Sequence, residues 1–245
     1  MEDEELENEE NNDESVNLKD LLYDAFLSCK EIPTDENFCN QFINAIETFF
    51  ESGHVYTVDS GTVGSSPYVG VGVSYYIKGD TSSAISSLLS VVKLLSAITV
   101  GGEVVLANGI SSALNLLFLN SQILCLNSAG NMSGNLTFDI ASSLGTLLTA
   151  DFIEINQLEG ETPEQYNERL EIGTKYKDTD ECLCDKMANH IQGILENPLL
   201  SIVNTSGTGT TQSVVGVGSW QLEEKEEDEE SEEESEEETE NTTIS

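Results

Sequence analysis

Two stretches of this chain, 145 residues apart, run in parallel, and that recurrence constrains the fold more than any other feature. DENFCNQFINAIETFFESGHVYTVDSGT (35–62) aligns with DECLCDKMANHIQGILENPLLSIVNTSGT (180–208). Asp35/Asp180, Glu36/Glu181, Cys39/Cys184, Asn44/Asn189, Ile46/Ile191, Glu51/Glu196 and Val58/Val203 are identical. The offset becomes 146 before Gly61/Gly207, and at that later offset the Gly-Val-Gly of 70–72 meets the Gly-Val-Gly of 216–218. In the first copy Phe38, Phe42, Ile43, Ile46, Phe49 and Phe50 fall on one helical face, which predicts a helix over 35–52 ended by Ser52-Gly53. The Val, Tyr and Thr of 54–77, punctuated by Gly, Ser and Pro, predict two strands joined by a turn. A helix ending in a Gly/Thr/Val hairpin is thus used twice. Such a hairpin has few large apolar side chains, so it is a poor core by itself and its edges favour pairing with another sheet or chain.

The segments around the repeat read as follows. Residues 17–30 form a short amphipathic helix, with Leu18, Leu21, Leu22, Ala25 and Phe26 at helical spacing and Pro33 interrupting it. Two Ser/Leu-rich helices are expected at about 81–99 and 108–126, separated by Gly101-Gly102. Their apolar residues (Ile85, Leu88, Leu89, Val92 and Leu95, then Leu114, Leu117 and Phe118) cover wide faces, which implies burial on more than one side, in a core or an oligomer. A strand or helix follows at 136–157, then a polar linker-like stretch at 158–180 and a helix at 181–196 ended by Pro198. A second Gly/Thr/Val region spans 199–222.

Charge separates the body from its ends. Residues 1–14 hold nine acids and no base, and 222–240 hold 14 acids and one base, Lys225. Of the net −37, the body 15–221 carries about −15, and between 80 and 150 the only charged residues are Asp80, Lys93, Glu103 and Asp139. Runs of like charge this dense repel themselves and bury nothing, so both ends are expected to be disordered. So few Lys and Arg cannot neutralise a phosphate backbone, which argues against direct nucleic-acid binding, and anionic membrane surfaces are disfavoured for the same reason.

The segment 104–126 (VVLANGISSALNLLFLNSQILCL) approaches transmembrane hydropathy but contains Asn108, Asn115, Asn120 and Gln122 and has no basic flank. A span needs roughly 20 largely apolar residues, so a buried helix is the expectation. The start Met-Glu-Asp-Glu-Glu is the opposite of a cleavable signal peptide. Five cysteines, Cys29, Cys39, Cys125, Cys182 and Cys184, have no disulfide-scaffold spacing, which points to reduced thiols in a cytoplasmic or virion setting.

An amphipathic helix, then a Thr/Val/Ser-Gly segment, then a Gly-Val-Gly strand, at 35–73 and again at 180–218, resembles small uncharacterised virion structural proteins of tailed bacteriophages. The resemblance is one of composition over those two segments. It implies an assembly component without catalysis and transfers no functional residues.

Several residues could carry chemistry. Val58-Asp59-Ser60-Gly61-Thr62 matches the aspartic-protease pattern, but that reaction needs two aspartates sharing a proton. The repeat has Asn204 in place of Asp59, so only a homodimer could supply the pair; otherwise Asp59 favours a turn through its side chain. Cys182-Leu183-Cys184 with His190 resembles part of a metal site without the usual spacing or a second pair of ligands. His54 lies near Asp59 and Ser60 in sequence, but a triad is defined by geometry. Neither a phosphate-binding lysine loop nor a dinucleotide fingerprint is present.

The expected fold is α+β, with five segments. An acidic N-terminal tail (1–15) precedes a helix–hairpin unit (16–79), a Ser/Leu-rich helical middle (80–157), a linker with a second helix–hairpin unit (158–221), and an acidic C-terminal tail (222–245). The expected function is a non-enzymatic structural or assembly protein, without catalytic, cofactor or metal residues, that associates with itself or other assembly subunits through strand edges and apolar helices. The alternatives are an acidic-tailed binder or chaperone of basic proteins and, more remotely, a dimeric aspartic hydrolase using Asp59. No membrane partner is expected.

Overall fold

The structure, a computed structural model, describes residues 16–63, 65–77, 79–120, 122–127, 130–138, 141–197, 201–206 and 212–222. The acidic runs read as disordered, and Gly207 of the repeat, lie outside the described residues.

The first two helices follow from their caps and periodicity. Helix α1 (Leu18–Glu31) starts at Asn17, whose side chain accepts the Lys19 amide at 2.9 Å. Pro33 prevents its continuation, and Thr34 caps helix α2 (Asp35–Glu51) by accepting the Asn37 amide at 3.1 Å. Strands β1 (Gly53–Val63) and β2 (Ser66–Ile77) then pair antiparallel, with Val58 opposite Val71.

The middle of the chain departs from expectation. Helix α3 (Ser82–Leu95) is followed by helix α4 (Gly102–Asn120), which begins six residues earlier than expected and stops before 126. Residues Gln122–Asn127 form strand β3, paired antiparallel with β4 (Gly130–Phe138). Helix α5 (Ala141–Glu154) occupies most of the segment read as strand or helix. The stretch read as a linker contains helix α6 (Pro163–Arg169), closed by a capping box between Thr162 and Gln165. Helix α7 (Thr179–Leu195) leads to strands β5 (Ser201–Ser206) and β6 (Gln212–Leu222). Among the described residues, a helix, a second helix and a strand pair therefore occur three times in order, with α6 added in the third.

Two closed layers result. Around the helical layer, α1 touches α2, α2 touches α3, and so on through α4, α5 and α7 back to α1. The strands form a six-stranded antiparallel sheet in the order β5-β4-β3-β2-β1-β6. Its two outermost strands, β5 and β6, lie side by side, so the sheet curls into a closed barrel.

Trp220 of β6 joins the layers. It is fully buried, its ring centroid is 4.8 Å from that of Phe49 and 5.8 Å from that of Phe50, and its Nε1 donates to the Phe50 carbonyl oxygen at 3.3 Å. Phe50 also meets Phe118 of α4 at 4.8 Å and Tyr76 of β2 at 5.0 Å. Each such side chain contributes about 1.5–3 kcal/mol by leaving water, and the aromatic pairs add about 0.5–1.5 kcal/mol. Below this cluster the core continues through Phe42, Ile46, Leu88, Ile110 and Leu114.

Candidate functional site

The residues singled out for chemistry do not converge. Asp59 sits inside β1 and not in a turn, in register between Gly70 of β2 and Gly216 of β6. His54 and Ser60 stand six residues apart along the extended strand, about 20 Å, too far for the two to belong to one triad. The His54 ring instead meets the Tyr56 ring edge-on at 4.5 Å.

Cys182 and Cys184 are both buried in different clusters. Cys182 joins a small satellite core with Leu170 and Tyr176, whereas Cys184 belongs to the main core. Loss of water around the thiols pushes Cys182 up and Cys184 to about 12. His190 faces α5, where its Nε2 lies 3.0 Å from Asp151 Oδ2. Burial raises the Asp151 carboxyl, while His190 acts in the opposite direction. Among the described residues no group of three or more His, Cys, Asp or Glu side chains could hold a metal ion.

Two other features stand out, one at each end of the molecule. The first is the barrel surface. Register places the strand glycines Gly53, Gly61, Gly70, Gly72, Gly130, Gly134, Gly216 and Gly218 on one face, which Trp220 shares. Because Trp220 is buried, that face is the inside. An eight-stranded barrel has just enough interior for side chains, so six strands leave less, and glycine suits the inward positions. The other face carries β-branched residues. Val58, Val69 and Val71 are 64, 78 and 74% exposed, and the neighbouring Tyr56 is 48% exposed. Val58 pairs with Val71, Ser60 with Val69 and Tyr56 with Val73, while β6 brings Val217 and Val215 opposite Val58 and Ser60. None of these positions holds a charged residue. A strand face turned to water is ordinarily polar, and a continuous apolar patch marks an interaction surface.

The second feature lies at the opposite pole, where α1, α3 and α5 end and α2, α4 and α7 begin. A cavity of about 480 Å³ opens there. Every helix of the ring contributes to it, as Phe26, Phe38, Leu95, Leu106, Phe152 and Met187 illustrate. Its polar lining is Glu103 and Asn156, joined by a 3.1 Å bond from Asn156 Nδ2 to Glu103 Oε1.

Helix α4 contains the window Gly102–Leu119, long and apolar enough to cross a membrane. In the fold Ala107, Ile110, Ala113, Leu114, Leu117 and Phe118 of this helix are buried against the rest of the ring.

Neither the cavity nor the meaning of the barrel face is visible in linear sequence. The cavity draws its lining from six helices and the residues just after α5, spread from Phe26 to Met187. The Gly-Val-Gly alternation is visible, but which residue faces out depends on how the sheet closes. No family model, curated protein or solved structure matches the chain.

Proposed function

We propose that this protein is a non-enzymatic structural or assembly subunit, of the virion-component kind, which associates with itself or other assembly subunits through the outward face of its barrel. The observation that carries this reading is the exposed, uncharged surface of Tyr56, Val58, Val69 and Val71. Leaving a valine three-quarters exposed forgoes about 1 kcal/mol or more of burial, which a partner surface would recover. Strand edges serve this role poorly, because β5 and β6 lie against each other. Two bodies of net negative charge approach most easily where neither presents a carboxylate, and this face is such a place. The acidic runs would then limit premature association.

The recurrence of helix, helix and strand pair supports descent from one repeated unit. The leading helices α1, α3 and α5 each have 14 residues, and the following helices have 17, 19 and 17. The Gly-Val-Gly segments of β2 and β6 also flank β1 at the same positions, with Gly70 and Gly216 both opposite Asp59.

Light scattering on the full-length chain tests the reading. Raised salt screens the acidic runs, so the mass should exceed 26.6 kDa there and fall back to it in Val58→Asp and Val71→Asp. A wild-type chain that stays monomeric at high salt and concentration would overturn self-association. The 14 acids of 222–240 favour a second reading, a binder of basic proteins. A chain ending at residue 221 that binds basic proteins as well as full-length protein does would exclude it.

A further inference from the structure

Protein interiors are close-packed, and voids much larger than a water molecule are few. The cavity at the helical pole, about 480 Å³, is therefore a feature to be explained. It falls within the range of small-molecule sites, which often lie between the helices of a bundle, are mostly apolar, and carry a few polar groups that orient the ligand. Among the described residues lining it, Glu103 alone has a charged side chain, and no lysine or arginine is present. Asn156, two residues past the end of α5, donates to Oε1 of that carboxylate, which holds it at a fixed place on the rim. Three helix N-termini and three C-termini end at this pole, so their dipoles largely offset one another and Glu103 sets the sign of the mouth.

We propose that this cavity binds a small amphiphile with an apolar body and a protonated amine head, the body among Phe26, Phe38, Leu106 and Phe152 and the head at Glu103. Its walls are mostly apolar and meet water through the mouth, so an apolar guest that covers them gains by removing that surface from water. Glu103 then discriminates by charge, favouring a cation over a neutral head and excluding an anion. This inference stands apart from the assembly role, which uses the opposite end of the molecule.

Octylamine, octanol and octanoate, each kept below its aggregation limit, test the proposal against the full-length chain by titration calorimetry. One octylamine should bind per chain, octanol should bind roughly two- to fivefold more weakly, as suits a partly exposed charge pair, and octanoate more weakly still. Glu103→Gln, at the rim, should bring octylamine and octanol to equal affinity. Leu106→Trp, which fills the cavity, should abolish binding of both while the circular dichroism spectrum is kept. The proposal is overturned if none of the three probes binds saturably, or if octanoate binds as tightly as octylamine. It is also overturned if the Glu103→Gln chain keeps its preference for the amine. Binding matched by ethylamine would assign the effect to the acidic runs 1–14 and 222–240 and likewise overturn it.

Discussion

Replacing Gly53 by alanine should strain the joint between helices and barrel. A Cβ at this position would lie 2.3 Å from Cζ2 and 2.4 Å from Cε2 of Trp220, and 2.5 Å from the Gln221 carbonyl oxygen. Carbon atoms prefer about 3.5–4.0 Å, so the methyl intrudes by more than 1 Å on a ring that is itself fully buried. The ring has little room to retreat, with Phe49 and Phe50 beside it and its Nε1 bonded to the Phe50 carbonyl. Overpacking of this kind costs about 1–3 kcal/mol. The restriction that alanine imposes on the unfolded chain returns about 0.4–1 kcal/mol where it fits without strain, too little to reverse the sign. At about 2–4 °C per kcal/mol for a chain of this size, the melting temperature should fall measurably. Trp220→Leu removes the ring atoms that the methyl meets but leaves the Gln221 carbonyl. Gly53→Ala should therefore cost at least about 1 kcal/mol less in that background. Urea unfolding followed by far-ultraviolet circular dichroism measures the cycle, since Trp220 is the single tryptophan and fluorescence is lost with it. Costs that add within about 0.5 kcal/mol would show that Trp220 is not what excludes a side chain at Gly53.

Two further expectations concern titration and access. The Glu161 carboxylate accepts from Arg169 Nε at 2.8 Å and Nη2 at 3.0 Å, and from the Leu158 amide at 2.9 Å, which brings its pKa down to about 2. Because the folded value lies below the ordinary 4.5, the stability this group gives is complete above 4.5 and is lost as pH falls through 2; a nuclear magnetic resonance titration should show the low midpoint, and Arg169→Gln should raise it. Cys29 is half-buried whereas Cys39, Cys182 and Cys184 are buried, so among these four an alkylating reagent at pH 8 should modify Cys29 first; mass spectrometry of the peptides decides, and equal rates at Cys29 and Cys184 would contradict the packing.

The first third of the fold is readable from sequence because its signals agree. The face of Phe42, Ile46 and Phe49, the cap at Thr34 and the Val-rich alternation after Gly53 each specify one structure. The middle is misread where signals blur. Apolar residues resume at Ile123 after only Asn120, Ser121 and Gln122, so the strand sequence looks like more of the helix before it. Asn108-Gly109 looks like a helix start, yet Gly109 lies inside α4 because a Cβ there would stand 2.5 Å from Val91 Cγ1 of α3. The break expected at Gly101-Gly102 is present, since the φ of +79° at Gly101 suits glycine, but the helix starts directly after Gly101 and not at 108. The polar stretch 158–180 looks like a linker because its order comes from polar bonds. Arg169 gathers Glu161 and the carbonyl oxygens of Glu154 and Asn156 around one guanidinium. Asp59 suggests a turn by its residue type, but the pairing of β1 with strands on both sides overrides that preference.

Assembly through the barrel requires that its valine face be covered when chains meet. Val71→Cys places a thiol at a site that is 74% exposed in the single chain, and its alkylation rate can be followed on its own peptide at increasing protein concentration. Labelling should be rapid in dilute protein and slow as concentration and salt rise, with Cys29 changing little. A rate at Val71→Cys that stays the same across that range, while the chain is folded, would contradict assembly through this face.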